Sequence, residues 1–366
     1  MEIVDIRFYP IELPMVKPFR IAYDVTTRSH TIYVEVVTDE GISGWGEAVP
    51  TPKITGESFG QALANLEFLK RHLVGRDPLR VRELEAEMDR VLRGNSSVKA
   101  GISMALYDIL GKVLKAPLYR LLGGFRTRFE TDMTIGIDEP EAMARDAQRF
   151  VDQGFRVLKV KVGEDPDRDY ERLKRIRDAV GYGVRVRIDA NQAWSPKQAI
   201  RMLRRFERFE LELVEQPVPA WDWEGLAVVR RSVDIPVVAD EAVHSPHEAF
   251  ELISVGAVDG VNIKLMKCGG IGPAVTIARV AEAGGAEGCM IGCMVETRLA
   301  LAAAAHVVAA HPIIRWIDLD GNTSLADEPS TGGYRLEKGE IVLEDKPGLG
   351  VEVDREKLEK YRYELS

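Results

Sequence analysis

The sequence predicts an α/β protein: a closed barrel of parallel strands, preceded by an α+β unit and followed by a short segment of turns and strands. Two observations carry this reading. From about Glu130 onward, short Val/Ile/Leu-rich runs alternate with amphipathic helices, eight strand candidates in succession. Before residue 125 the rhythm differs, with alternating strands giving way to helices of 3.6-residue apolar spacing. Alternating β and α units point to a parallel sheet, and eight of them in one stretch suit a closed barrel better than an open sheet.

In the first unit (1–125), Ile3 to Leu13, Thr31 to Thr38 and Gly41 to Glu47 alternate apolar and polar residues as antiparallel strands do, with Asp39-Glu40-Gly41 as a turn. Ser58 to Leu73, Val81 to Leu92 and Ser97 to Leu114 follow as helices, and Leu121-Leu122-Gly123-Gly124 reads as a linker. The second unit (126–320) carries strands at Thr131 to Ile137, Val157 to Val162, Val184 to Asp189, Leu211 to Glu215, Val237 to Asp240, Gly260 to Lys264, Gly288 to Gly292 and Ile313 to Asp318. Helices fit between them, among them Glu139 to Gln153, Pro196 to Arg208, Pro246 to Val255 and Pro273 to Ala283. The remainder (321–366) is expected to pack back on the first unit.

Composition excludes several function classes. The 366 residues carry 58 acidic and 49 basic side chains, a formal charge of −9 with no basic run, which argues against nucleic acid or an anionic membrane surface as partner. The longest apolar run, Leu299 to Ala310, falls short of the roughly 18 to 20 residues of a membrane span. The first residues lack the charged start and apolar core of a signal peptide, so the expected location is cytoplasmic. Cys268, Cys289 and Cys293 form no Cys-x-x-Cys pair and read as small buried hydrophobes.

In a parallel barrel the C-terminal strand ends point into the active-site mouth. Here strand two ends in Lys159 and Lys161, strand three in Asp189, strand four in Glu215, strand five in Asp240, strand six in Lys264, and strand eight in Asp318 and Asp320. Three carboxylates from adjacent strands, without His or Cys, are a hard oxygen set suited to Mg²⁺. Lys159 and Lys161 share one face of a strand whose inward side should be apolar. Crowding ammonium groups beside a divalent cation would depress their pKa values and let one act as a base. With Lys264 across the mouth, two lysines can take a proton from one face of a carbon and return it to the other. That suits abstraction of a proton α to a carboxylate, where the enediolate needs positive charge placed beforehand.

In this order, Lys159-Val160-Lys161, Ile188-Asp189-Ala190-Asn191, Val214-Glu215-Gln216-Pro217, Ala239-Asp240-Glu241 and Asn262-Ile263-Lys264 resemble the enolase superfamily, muconate-lactonizing subgroup. Gly44-Trp45-Gly46-Glu47, the stretch Ala105 to Lys112 around Asp108, and Leu121 to Gly124 look like that family's capping-domain landmarks. Two pieces resemble dipeptide epimerases: Ile291-Gly292-Cys293-Met294-Val295-Glu296, and Asp318-Leu319-Asp320.

The resemblance implies a modified TIM barrel, (β/α)7β, with an N-terminal capping domain completed by the C-terminal segment. It implies that Asp189, Glu215 and Asp240 ligate Mg²⁺, that Lys161 and Lys264 are the acid/base pair, and that Lys159 helps neutralise the substrate carboxylate. Asn191 and Glu241 would support them. Asp318 and Asp320 would hold the substrate's α-ammonium group, for which two carboxylates on one face form a suitable clamp. Specificity would come from Pro18 to Arg28 and Pro50 to Ser58, with Asp24, Glu296 and Arg298. Asp24 stands where relatives acting on acidic dipeptides carry arginine, which favours a cationic or neutral side chain instead. His244 and His247 read as capping or surface residues.

The expected function is a Mg²⁺-dependent dipeptide epimerase acting on the α-carbon of the C-terminal residue, with a small dipeptide as partner and, by resemblance, a homo-oligomeric assembly. An o-succinylbenzoate synthase, an N-succinylamino acid racemase or a cycloisomerase would use the same metal and lysines but has no need of an ammonium clamp. A catalytically silent binding barrel would have no need of both lysines and all three carboxylates.

Overall fold

The computed structural model describes residues 1–22 and 24–364. The chain begins with a three-stranded antiparallel sheet, β1 (Ile3–Ile21), β2 (Asp24–Thr38) and β3 (Ser43–Ala48), in that order. Residues 18–28, expected as a loop, are instead mostly the outer arms of the β1–β2 hairpin: Phe19 pairs with Thr26 and Ile21 with Asp24 beyond a register shift at Pro14/Phe19. The β-branched run Val25-Thr26-Thr27 favours that extension.

Helices α1 (Phe59–Leu73), α2 (Val81–Val91) and α3 (Ser96–Val113) follow. α3 is buried over most of its length, and β3 lies directly on it. A Cβ on Gly44 would stand 2.0 Å from Ala105 O, and one on Gly46 would stand 1.9 Å from Gly101 O. This contact explains both glycines of the Gly-Trp-Gly-Glu motif.

After the short α4 (Leu118–Leu121) and β4 (Arg128–Glu130), the barrel strands are β5 (Met133–Ile135), β6 (Val157–Lys161), β7 (Arg185–Asp189), β8 (Leu211–Glu215), β9 (Val237–Ala239), β10 (Gly260–Ile263), β11 (Gly288–Ile291) and β12 (Ile314–Ile317). They form one continuous parallel sheet from β5 to β12. The crossovers carry α5 (Pro140–Asp152), α6 (Pro166–Val180), α7 (Pro196–Phe206), α8 (Trp223–Arg230), α9 (Pro246–Ser254), the short α10 (Leu265–Cys268) with α11 (Ile271–Ala283), and α12 (Arg298–Ala310). Among the described residues only a 3-10 turn, Gly321–Ser324, and no α-helix follows β12 before the C-terminal strands, so the architecture is (β/α)7β. The sheet curls until its edges meet, with Asp132 N donating to Ile317 O at 3.0 Å.

Local sequence sets the helix starts. α5, α6, α7 and α9 each begin with proline, whose missing N–H is not needed in a first turn. Ser195 and Gln198 close a reciprocal capping box on α7. Inside the sheet, Leu213, Val238, Met290 and Trp316 pack as a small cluster of their own. The Trp316 ring stands 2.6 Å from where a Cβ on Gly260 would lie, so glycine is needed there.

The expected strand Thr131 to Ile137 is shorter than read, β5 alone, which opens the barrel; just before it, β4 pairs with β15 (Glu340–Leu343). The C-terminal segment also forms β13 (Ser330–Gly332), β14 (Tyr334–Glu337), β16 (Val351–Val353) and α13 (Arg355–Lys360). It returns to the N-terminal sheet, where Glu12 N donates to Tyr361 O and Tyr363 N donates to Pro10 O, both at 2.9 Å.

Two buried carboxylates join the units. Asp108 on α3 accepts from Trp45 N at 3.0 Å, Leu349 N at 2.9 Å and Lys112 Nζ at 2.6 Å. Glu47, at the end of the glycine motif, accepts from Thr297 Oγ1 at 2.6 Å, Thr297 N at 3.0 Å and Ala300 N at 3.2 Å, capping α12 from across the interface. Among the described residues no helix is long and apolar enough to cross a membrane.

Gly46→Ala should push β3 off α3 and destabilise the protein by about 1–3 kcal/mol, the usual penalty of overpacking. Urea unfolding followed by circular dichroism checks this, and an unchanged midpoint would show that the contact yields freely.

Candidate active site

The C-terminal strand ends meet at one buried mouth. β7, β8 and β9 are neighbours in the sheet, and Asp189, Glu215 and Asp240 at their ends bring carboxylate oxygens within 4.8 Å of one another. All three are buried. The chain leaves the first two through left-handed turns at Asn191 (φ 40°) and Gln216 (φ 35°), conformations that non-glycine residues hold only under constraint. Gln216 Oε1 accepts from Asp240 N at 2.9 Å and Ala242 N at 3.1 Å, so one ligand-bearing turn is tied to the next.

Lysines flank this triad from both sides. Lys161 Nζ, on β6, is 2.6 Å from Asp189 Oδ2 and 3.1 Å from Asn191 Oδ1. Lys264 Nζ, just beyond β10, is 2.7 Å from Asp240 Oδ2. Lys159 Nζ lies deeper, 2.7 Å from Glu215 Oε2 and 2.7 Å from Asp318 Oδ2. Asn191 Nδ2 in turn donates to Glu241 Oε1 at 3.1 Å, so the expected supporting pair is connected to Lys161.

Charge balance sets the protonation states. Burial works against an ionised Glu215, and the neighbouring Asp189 adds repulsion, pushing its pKa up to about 8. Burial also opposes the Lys264 ammonium, but Asp240 and Glu215 outweigh it and its pKa is raised. The same holds at Lys159, where Asp318, Glu215 and Asp189 outweigh burial. At Lys159 the expected depression is therefore not what the protein groups alone produce.

The donor set fits a divalent cation. It consists of oxygens only, on three adjacent strands. Glu215 Oε2 and Asp240 Oδ1 accept no well-directed hydrogen bond, although Lys159 Nζ and Lys267 Nζ stand 2.7 Å and 2.5 Å from them.

Asp318 and Asp320 face the same mouth. Burial opposes the Asp318 anion, but Lys159 holds its pKa down at about 2, whereas burial and the Asp318 charge push Asp320 up to about 6. Thr134 N donates to Asp320 Oδ2 at 2.6 Å, which fixes the carboxylate against β5. The mouth opens into a cavity of about 480 Å³, roofed by the N-terminal hairpin and by residues 49–54.

Of the expected specificity residues, Asp24 lines this cavity. Glu296 and Arg298 lie outside its lining. Arg298 opens α12 facing outward, where its Nη1 donates to Tyr334 O at 2.8 Å and its guanidinium stacks on the Tyr334 ring. Glu296 is buried near Glu47, and burial together with that neighbour's charge pushes its pKa up to about 8. His244, expected as a capping or surface residue, is part-buried with Nε2 3.1 Å from Ile54 O, joining the barrel to the cavity roof.

Sequence reasoning missed Lys267. It is 1% exposed and sits behind Asp240, with Nζ 3.1 Å from Asn262 O. A lysine within the otherwise apolar Leu-Met-Lys-Cys run was the available signal.

Residues 5–123 match the family described as mandelate racemase / muconate lactonizing enzyme, N-terminal domain, and residues 142–357 match enolase C-terminal domain-like. An L-Ala-D/L-Glu epimerase of Clostridium acetobutylicum is 44% identical over 96% of this chain and 99% of its own length. A dipeptide epimerase from Enterococcus faecalis V583, solved as a complex with Mg and the dipeptide L-Leu-L-Tyr, is 40% identical with a TM-score of 0.94, covering 96% of this chain and 99% of that one. An N-succinyl Arg/Lys racemase from Bacillus cereus is 35% identical with a TM-score of 0.96, covering 100% of this chain and 99% of the other.

Binding of a hard divalent cation should raise the thermal unfolding midpoint, since a ligand at about 100 times its Kd adds about 2.7 kcal/mol. Scanning calorimetry of wild type and Asp240→Asn checks this. An equal rise in both would place the cation elsewhere.

Proposed function

Since the chain belongs to the mandelate racemase / muconate lactonizing enzyme family of the enolase superfamily, we propose that it is a Mg²⁺-dependent dipeptide epimerase, inverting the α-carbon of the C-terminal residue. The observation that carries the reading is the placement of Lys161 and Lys264 on either side of the carboxylate triad, with Asp318 and Asp320 facing the same cavity. Asp189, Glu215 and Asp240 hold the metal. When bound, Mg²⁺ supplies positive charge at the substrate carboxylate and so makes the adjacent α-proton more acidic.

The chain's own groups do the rest. One of the two lysines enters neutral, takes the α-proton and becomes an ammonium ion. The other enters as an ammonium ion and returns a proton to the opposite face of the carbon, so the pair exchanges roles between the two directions. Lys159 and Asp318, paired at 2.7 Å, part to receive a zwitterion: the lysine turns to the substrate carboxylate and the aspartate, with Asp320, to the substrate ammonium. A free dipeptide thus replaces an ion pair by its own two charges. Cytoplasmic location and homo-oligomeric assembly are part of the same proposal.

The competing reading is racemisation of an N-succinylated amino acid, favoured by the likeness to the Bacillus cereus racemase. Such a substrate has no α-ammonium group to offer Asp318 and Asp320.

Incubation with a dipeptide library in D₂O and Mg²⁺, read by mass spectrometry, should show deuterium at one α-carbon. Lys161→Ala and Lys264→Ala should each lower epimerisation by about 10²- to 10⁴-fold, the usual contribution of a positioned acid or base. Unchanged rates in both variants would end the two-lysine scheme.

Asp318→Asn should raise KM for dipeptides by about 10- to 150-fold, the equivalent of one charge-assisted hydrogen bond of roughly 1.5–3 kcal/mol. Steady-state kinetics measure it. A preference for N-succinylated substrates in the wild type would instead favour the racemase.

A further inference from the structure

We infer that the dipeptide taken by this site carries apolar side chains, an inference that rests on the dipeptide reading above and narrows it. The charges at the floor of the cavity are already matched to the two ends of a dipeptide. What remains for its side chains is the wall built by the capping hairpin, residues 49–54 and the segment after β11.

Apolar, ionisable and uncharged polar residues make that wall, the last being Thr26, Thr27, Ser29 and Thr51. Phe19, Ile21, Val25, Pro52, Ile54 and Val295 are apolar. The ionisable ones among the described residues are Asp24, Arg28, His30 and Lys53, and each is turned to another protein group. Asp24 Oδ2 lies 3.2 Å from Lys53 Nζ, while its Oδ1 accepts from Val25 N at 2.9 Å. Arg28 pairs with Glu12, and His30 Nε2 lies 2.8 Å from Glu12 Oε2.

A charged substrate side chain therefore meets a wall whose own charges are already opposed in pairs. To gain a partner it must break the Asp24–Lys53 or Arg28–Glu12 contact, and otherwise it loses water without compensation. An apolar side chain loses nothing there and removes its own surface from water. For a leucine-sized group that is worth about a 10- to 100-fold gain in affinity. This narrows the expectation of a cationic or neutral side chain drawn from Asp24: with Lys53 beside it, the aspartate does not act as an isolated anion that would favour a cationic substrate.

The test uses the full chain with Mg²⁺ and compares kcat/KM for α-deuterium exchange among L-Ala-L-Leu, L-Leu-L-Leu, L-Ala-L-Glu and L-Ala-L-Lys. The leucine-containing dipeptides should exceed both charged ones at least tenfold. Asp24→Asn combined with Lys53→Gln should keep that order, because the pair contributes no net charge to the wall. A preference for L-Ala-L-Lys that disappears in Asp24→Asn, or for L-Ala-L-Glu that disappears in Lys53→Gln, would show that the pair opens to recruit a charged substrate and would overturn the inference. Exchange from N-succinylated amino acids but from none of the four dipeptides would remove the dipeptide reading itself, and this inference with it.

Discussion

Three buried carboxylates within 4.8 Å of one another cannot all stay ionised unless positive charge surrounds them, and much of the barrel mouth answers that constraint. Lys159, Lys161, Lys264 and Lys267 all lean on the triad, two from strands, one from the residue after β10 and one from α10. Even with these cations, Glu215 is pushed up to about 8, a measure of how closely the balance is drawn. A divalent ion bound among the same oxygens would take over part of the neutralisation. Lys161 and Lys264 would then be available for work on a substrate, whereas Lys267, closed in by backbone carbonyls, keeps its structural post.

The capping unit belongs to this site for physical reasons as well as positional ones. Its glycines let β3 lie against α3, and that contact carries Glu47 to the first turn of α12, where the carboxylate takes up backbone N–H groups that the helix cannot satisfy itself. His244 makes a matching tie from the barrel to the segment that roofs the cavity. The hairpin and the 49–54 segment are thereby held over the mouth by contacts remote from it.

The barrel was legible in the sequence because each βα unit repeats the same two periodicities, and because ionisable residues ended one buried strand after another. Asp189, Glu215, Asp240, Lys161 and Lys264 could be found on that ground alone. The strand before the barrel, β4, was not legible, since it is defined by pairing with β15, some two hundred residues away, and local pattern carries no information about so distant a partner. The surroundings of Glu296 and Arg298 were not legible for a related reason. Position after a barrel strand indicates the right neighbourhood, but the direction of a side chain depends on how α12 begins and on Glu328 and Tyr334 nearby. Asp24 could be judged only with Lys53 in view, a contact between separate segments of the capping unit.

The bonds from Asp108 to Trp45 and Leu349, with those from residues 361 and 363 back to the first strand, have a consequence for how the molecule comes into being. β1 cannot complete its hydrogen bonding until residues 361 and 363, far along the chain, have been made. Assembly of so many contacts between distant parts of the chain is slow, and in the interval the apolar faces of β1 and β2 stand open to other nascent chains.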